Sequence, residues 1–301
     1  MTGVSPLIGP VLLLGAAGQL GQALAPRLAR LGAVVPLTRA DVDLERLDDV
    51  RALVRRVRPG LVVNAAAYTG VDDAEGHEAR CRLVNEMVPA VLADETARLR
   101  VPLVHFSTNY VFDGLQPMPY TEDAPPSPLS VYGATKADGE RAVAAANPRH
   151  LIVRAAAVYG GPGRTFMRRI LELAREREEL RVVDDQYVSP TPAWVLAHAT
   201  VAAIDHLLAE HPAAQGLLHL TTTGAASWHA FALRILELDP DRAAHRVRSV
   251  VAVDTAGYPT PARRPANGVL DTGKAERELG IRLPGWEEAL RRTWAGEGAC
   301  R

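Results

Sequence analysis

The chain has 301 residues, of which 48% are hydrophobic and 23% charged, with a formal net charge of −1. It is long enough for one large α/β domain, or for one domain and a smaller lobe. No basic run or stripe points to nucleic acid, and no apolar run approaches the ~20 residues a membrane helix needs. Residues 1–10 lack a charged leader and read as the lead-in to a strand. Cys81 and Cys300 form neither a metal pattern nor a disulfide framework. A cytoplasmic setting is the expectation.

Val11-Leu12-Leu13-Leu14 is a continuous apolar run, as expected of a strand buried on both faces. It feeds the glycine turn Gly15, Gly18, Gly21, with Gln19 and Leu20 between, and a helical pattern follows through Leu24, Leu28 and Leu31. Strand, glycine turn and helix in that order suit a pyrophosphate held at a helix N-terminus. A second strand, residues 33–37, ends at Thr38-Arg39. An acid there would bond the 2′-hydroxyl of the adenine ribose, whereas Arg39 accommodates a 2′-phosphate, so NADPH is favoured. Asp41 lies close enough to keep NADH open. Asp43 and Leu44 read either as lining of the adenine pocket or as the cap of a helix over residues 45–57.

Leu61-Val62-Val63 is a third buried strand, running into Asn64 and the small residues Ala65, Ala66 and Ala67, then Tyr68 and Thr69. Small residues at a strand's carboxyl end let a flat cofactor lie against the backbone. A long helical region over residues 73–100 carries Asn85, a polar position that reads as a solvated face or a local bond. The fourth strand, Leu103-Val104-His105-Phe106, delivers Ser107 and Thr108 to the same edge. His105, inside an apolar run, reads as a packed and hydrogen-bonded core residue.

Residues 113–130 hold five prolines and form a loop suited to a substrate-facing wall. Beyond it Tyr132 and Lys136 stand four apart, so a helix presents both on one face. A phenol titrates near ~10 and an ammonium near ~10.4. An adjacent ammonium favours the phenolate and yields a tyrosine able to pass a proton. Only two of the 34 basic residues are lysines, Lys136 and Lys274, so a compact ammonium is kept where arginine is otherwise the rule.

A fifth strand, Leu151-Ile152-Val153, ends at Arg154, and after about residue 155 the βα alternation fades. A helix over 166–179, a strand at 181–183, a polar loop with Asp185, Gln186 and Tyr187, and a helix over 193–210 are expected. A last main-sheet strand at 217–220, a helix over 228–238, a strand near 247–253 and a helix over 286–294 follow. The expected fold is an α/β, Rossmann-type doubly wound parallel sheet over residues 1–155. A smaller substrate-binding lobe, mainly 156–301, carries segments of about 181–220 that return to the main sheet. Arg263 and Arg264, bracketed by prolines, suit a bidentate phosphate clamp.

The glycine turn, the segment 64–69, Ser107-Thr108, and Tyr132 with Lys136 together resemble the extended short-chain dehydrogenase/reductases. Residues 71–75, 110–114, 185–187 and 259–265 narrow the resemblance to the dTDP-4-dehydrorhamnose reductase family, from about Val11 to Trp294. The resemblance implies NAD(P)H-dependent reduction of a 4-keto-6-deoxy sugar on thymidine diphosphate, the step that yields dTDP-L-rhamnose. Tyr132 would protonate the C4 alkoxide, Lys136 would hold the nicotinamide ribose and lower the Tyr132 pKa, and Thr108 would polarise the ketone. Gly15, Gly18, Gln19, Leu20, Gly21, Arg39, Asp43, Leu44, Ala66, Ala67, Tyr68, Thr69, Asn85 and Phe106 would line the dinucleotide. Asn109, Gln186, Arg263 and Arg264 would join Thr108 and Tyr132 around the sugar nucleotide. Some members bind magnesium at a dimer interface. A homodimer is therefore an expectation, and no residue here is assigned to the metal.

Departures from the family pattern fall on the substrate side. Asn109 replaces an Asp, Ala155-Ala156-Ala157 replaces Thr-Ser-Trp, and Gly70 and Asp73 replace Ala and Lys. They keep open a sister 4-ketoreductase of another deoxysugar. The regulatory subunit of some methionine adenosyltransferases resembles the same family and keeps a non-catalytic, NADP-binding role open.

Overall fold

A computed structural model describes residues 7–161, 163 and 165–296. Cys300 and residues 1–6 of the lead-in therefore lie outside the described residues. β1 (Val11–Leu14) leads to α1 (Gln19–Leu28), β2 (Val34–Leu37) to α2 (Leu47–Val57), and β3 (Leu61–Asn64) to a broken helical region. That region is α3 (Val71–Ala74), α4 (Glu78–Arg82), a π-helical turn (Leu83–Met87) and α5 (Val88–Leu99). β4 (Leu103–Thr108), the proline loop, α6 (Val131–Ala146) and β5 (His150–Ala155) follow. Next come β6 (Val158–Tyr159), α7 (Phe166–Glu176), β7 (Glu179–Val183), β8 (Tyr187–Val188), β9 (Thr191–Pro192), α8 (Ala193–Leu208) and β10 (Gly216–His219). The last are β11 (Ala226–Ser227), α9 (Trp228–Leu238), β12 (Ser249–Val253), α10 (Gly273–Leu279) and α11 (Trp286–Trp294).

Six strands form one parallel sheet in the order β10-β5-β4-β3-β1-β2. Helices cover both faces, which is why the central strands read as unbroken apolar runs. On one face Val11 and Leu13 pack with Leu24 and Leu28 of α1 and with Leu196 and Ile204 of α8. On the other, Leu12 and Leu14 pack with Val50 and Val54 of α2, Leu92 of α5 and Val143 of α6. The crossovers leave β1 to β2 on one side and to β3 on the other, so the switch point lies between the carboxyl ends of β1 and β3.

The helical region expected over 73–100 is not continuous. Gly76 and His77 interrupt it, and the π-helical turn inserts ahead of α5. Of the segment 181–220, β10 does join the main sheet, whereas β7 pairs in parallel with β12 in a two-stranded sheet of its own. That pair and α7, α9 and α11 surround a separate core of Tyr159, Ile170, Leu180, Val182, Phe231 and Leu290.

Candidate active site at the carboxyl edge of the sheet

β1 is followed by Gly15, whose φ of 76° lies in the left-handed region. A Cβ there would stand 2.7 Å from the Ala65 and Ala66 backbone, and one on Gly21 would stand 2.1 Å from the Gly15 carbonyl. The turn, the start of α1 and the end of β3 therefore close into a cradle that only glycine permits. Two buried polar atoms face this edge without a hydrogen-bond partner among the described residues, Gln19 Oε1 and Ser107 Oγ. Orphaned polar atoms beside a backbone cradle fit a dinucleotide, which would supply acceptors and hydroxyl donors.

Farther along, Asp41 turns its carboxylate back onto Thr38, accepting from the Thr38 hydroxyl at 2.7 Å and its N–H at 2.8 Å. Those two bonds hold the Asp41 carboxyl below the usual range. Arg39 and Asp41 are both exposed at the end of β2, Asp41 with its carboxylate turned onto Thr38. Asp43 accepts the Glu45 N–H at 3.0 Å in the turn ahead of α2, and Leu44 packs on the core beneath. The helix itself begins at Leu47, two residues later than its pattern suggests.

Ala66 and Ala67 extend the floor from β3, and Thr69 is exposed at its outer end. The backbone of Tyr68 is clamped at both ends by Asn85, whose Oδ1 accepts the Tyr68 N–H at 2.9 Å while Nδ2 donates to its carbonyl at 3.1 Å. Asn85 is 1% exposed, and the π-helical turn aims it inward. Of the two readings of its helical context, a solvated face or a local bond, the structure shows the local bond. Gly139 lets α6 approach: a Cβ there would sit 2.1 Å from the Asn85 carbonyl.

Ser130 caps α6 by accepting the Gly133 N–H at 3.2 Å, and Glu75 accepts the Val131 N–H at 2.9 Å. These bonds satisfy two free donors of the first turn and fix the helix that carries Tyr132 and Lys136. Tyr132 packs edge-on against Tyr110 with ring centroids 5.6 Å apart. Burial pushes its phenol up to about 12, and a hydrogen bond with Thr108 works in the opposite direction. Lys136 is 2% exposed and donates to the Phe106 carbonyl at 2.5 Å, with His105 Nε2 at 3.3 Å. Burial brings Lys136 down to about 8, against the upward pull of Glu140 and Cys81.

Burial dominates at both groups, raising the Tyr132 phenol and lowering the Lys136 ammonium. Desolvation outweighs the pairing that the four-residue spacing suggests.

Asn109 is 1% exposed and donates from Nδ2 to the Gly268 carbonyl at 3.1 Å, bridging the end of β4 to the 265–270 loop. Gln186 is buried and donates to Thr255 Oγ1 at 3.0 Å, while Asp185 holds the same threonine through its N–H and hydroxyl. Arg264 forms a bidentate pair with Asp72 at 3.0 and 2.7 Å, so its fork is taken. Arg263 is exposed. Ala157 adopts a left-handed backbone, φ 43°, where the family pattern has a tryptophan. Among the described residues no group of three or more His, Cys, Asp or Glu stands close enough to hold a metal ion.

Asp72, Glu75, Asn64 and His105 all position this site, and none is assigned such a role from the sequence. Asp72, Glu75 and Asn64 fall in segments singled out by resemblance without a role of their own, and His105 reads as strand interior.

The family described as RmlD substrate binding domain matches residues 9–297. The chain belongs to this family. The dTDP-4-dehydrorhamnose reductase of Burkholderia thailandensis is 42% identical over 286 residues, covering 93% of this chain and 96% of that protein. A crystal structure of dTDP-4-dehydrorhamnose reductase from Bacillus anthracis in complex with NADP superposes with a TM-score of 0.85 at 32% identity, covering 96% of this chain and 99% of that one. A probable dTDP-4,6-dihydroxy-2-methyloxan-3-one 4-ketoreductase of Streptomyces antibioticus is 40% identical over 288 residues, 94% of each chain. Relatives of both kinds thus match this chain at similar identity.

Proposed function

We propose that the chain is an NADPH-dependent reductase of the C4 ketone of a dTDP-4-keto-6-deoxy sugar, in the manner of its dTDP-4-dehydrorhamnose reductase relatives. The observation that carries this reading is Tyr132, packed edge-on against Tyr110 and set on one face of α6 with Lys136, at the carboxyl edge of the sheet where the glycine turn ends. NADPH, when bound, supplies the hydride. Thr108 polarises the ketone, and Tyr132, neutral over the whole working range, donates the proton that completes the alcohol. Lys136 holds the ribose edge and contributes positive charge below about pH 8. Arg39 meets the 2′-phosphate, and Arg263 meets the sugar-nucleotide diphosphate. Residues 156–301 form most of the substrate lobe. A homodimer and a cytoplasmic setting are proposed from the family resemblance alone.

A second reading, a sister 4-ketoreductase of another deoxysugar, is favoured by Asn109 and Ala157. The first replaces a charged side chain beside Thr108, and the second removes an indole from the substrate side. The deciding experiment follows NADPH oxidation on dTDP-4-keto-6-deoxyglucose, with and without a 3,5-epimerase. Turnover only after epimerisation identifies an L-sugar reductase of the rhamnose type, and turnover without it identifies a D-sugar reductase. Silence in both arms with tight NADPH binding favours the regulatory role instead.

Two further outcomes are expected. Arg39→Ala weakens NADPH binding by about tenfold, one charge-assisted contact's worth, and leaves NADH nearly unchanged. Equal losses for both cofactors, by fluorescence titration, remove the 2′-phosphate assignment. The kcat for reduction holds at lower pH and falls as pH rises through about 8, where Lys136 loses its proton, while Tyr132 remains protonated. A rate that stays flat to pH 10, an assay setting, contradicts the need for charged Lys136.

A further inference from the structure

His105 has no exposed surface and lies between Asn64 of β3 and Lys136 of α6. Its Nδ1 is 3.2 Å from Asn64 Nδ2, and its Nε2 is 3.3 Å from Lys136 Nζ. The Ala66 N–H, 3.2 Å from Asn64 Oδ1, fixes which end of the amide is oxygen, because the opposite orientation sets donor against donor. The NH2 end therefore points at His105 Nδ1, which must accept. Burial first, and then the charge of Lys136, hold His105 well below the usual histidine range, so the ring is neutral. A neutral imidazole that accepts at Nδ1 carries its proton on Nε2. That N–H faces Lys136. An ammonium has three donors and no acceptor, whereas an amine offers a lone pair.

We propose that Asn64 and His105 form a tautomer lock, two positioning residues that favour the amine form of Lys136 and so set how readily it passes a proton toward Tyr132. The consequence rests on the reductase reading above, although the lock itself does not. During reduction the Tyr132 O–H bond breaks as its proton goes to the ketone oxygen, leaving a phenolate. A Lys136 N–H bond then breaks and its proton restores the Tyr132 hydroxyl. The resulting amine accepts the His105 Nε2–H and recovers a proton from solvent. No electrons change hands in these steps.

Other groups face Lys136 as well. The Phe106 carbonyl of β4 accepts from it, and Cys81 of α4 lies nearby with its thiol pushed up by burial. Glu140, one turn on along α6, favours the ammonium, but its carboxylate is already held by Arg154 of β5 at 2.8 and 2.6 Å. Tyr132, on the same helix, stays neutral at any pH where Lys136 titrates. Among the described residues, His105 is the one side chain hydrogen-bonded to Nζ, and it presents a donor there.

Lys136 and Lys274 are the chain's two lysines, so [15N]lysine labelling gives two side-chain signals, and Lys274→Arg assigns them. His105→Gln, whose amide oxygen can accept from an ammonium, is expected to raise the Lys136 midpoint by about one pH unit. Asn64→Asp, which accepts from a Nδ1–H while keeping the ring in place, is expected to raise it too. In [15N]histidine-labelled wild type, the ring missing from the His105→Gln spectrum is expected to show an unprotonated Nδ1 and a protonated Nε2, reversed in Asn64→Asp. A protonated Nδ1 in wild type, or a Lys136 midpoint unmoved in both variants, overturns the lock. A lower melting temperature with an unmoved midpoint indicates a packing role only and also overturns it. Neither spectrum uses the sugar, so a silent reductase assay defeats the functional reading and leaves this one to its own test.

Discussion

Tyr132→Phe is expected to lower kcat for ketone reduction about a thousandfold, in the middle of the span that general acid catalysis contributes. The phenylalanine keeps the edge-on contact with Tyr110 and the fit of α6, so NADPH affinity stays near that of the wild type. Only the proton that completes the alcohol is lost. Steady-state rates and a separate NADPH titration check the two halves of this expectation. Near-wild-type turnover removes Tyr132 as the proton donor. A parallel loss of cofactor affinity instead makes the hydroxyl part of the binding site.

The second large effect is on stability. Arg154 and Glu140 form a bidentate ion pair with side chains only 3% and 8% exposed, tying α6 to β5, and the guanidinium lies over the Phe112 ring at 5.0 Å. Glu140→Ala leaves that guanidinium buried without its anion, which costs about 3–5 kcal/mol. In a chain of this size such a loss lowers the melting temperature by roughly 10 °C. Replacing both partners with apolar residues of similar volume is expected to recover much of it, because the penalty belongs to the uncompensated charge and not to the missing bond. Urea titration of the single and double variants is the check. A loss below about 1 kcal/mol for Glu140→Ala means the pair is solvated in solution.

The glycine turn and the four central strands were legible because burial on both faces writes itself as continuous apolar runs, and because a tight turn beneath α1 admits only glycine. The partner of a short strand is not written in that way. β7 pairs with β12 across a long stretch of chain, and its five residues carry no mark of which edge they join. The break at Gly76 and the π-helical turn were hidden for a related reason: helical periodicity continues across both, and only packing against α6 reveals that Asn85 turns inward.

At the site, identity was easier to read than engagement. Tyr132, Lys136, Thr108 and Asn109 gather at one edge, as their positions at the ends of β4 and the start of α6 require. Arg264 looked like a phosphate ligand, but its fork belongs to Asp72, 192 residues earlier in the chain. His105 was rightly placed in the core, yet its contact with Lys136 depends on how α6 crosses β4, which no local pattern records. The depression of Lys136 follows from the same burial: a face shared with Tyr132 is a helical property, whereas the charge it carries depends on what packs over it.

The most direct test of the account uses NADPH carrying deuterium at the transferable position of its nicotinamide. The purified chain is given dTDP-4-keto-6-deoxyglucose, with 3,5-epimerase where needed, and the sugar product is read by mass spectrometry and NMR. Hydride transfer to the ketone predicts one deuterium, bound to C4 of a dTDP-linked 6-deoxyhexose. Cofactor oxidation that leaves the sugar unlabelled, or label at any other carbon, contradicts it.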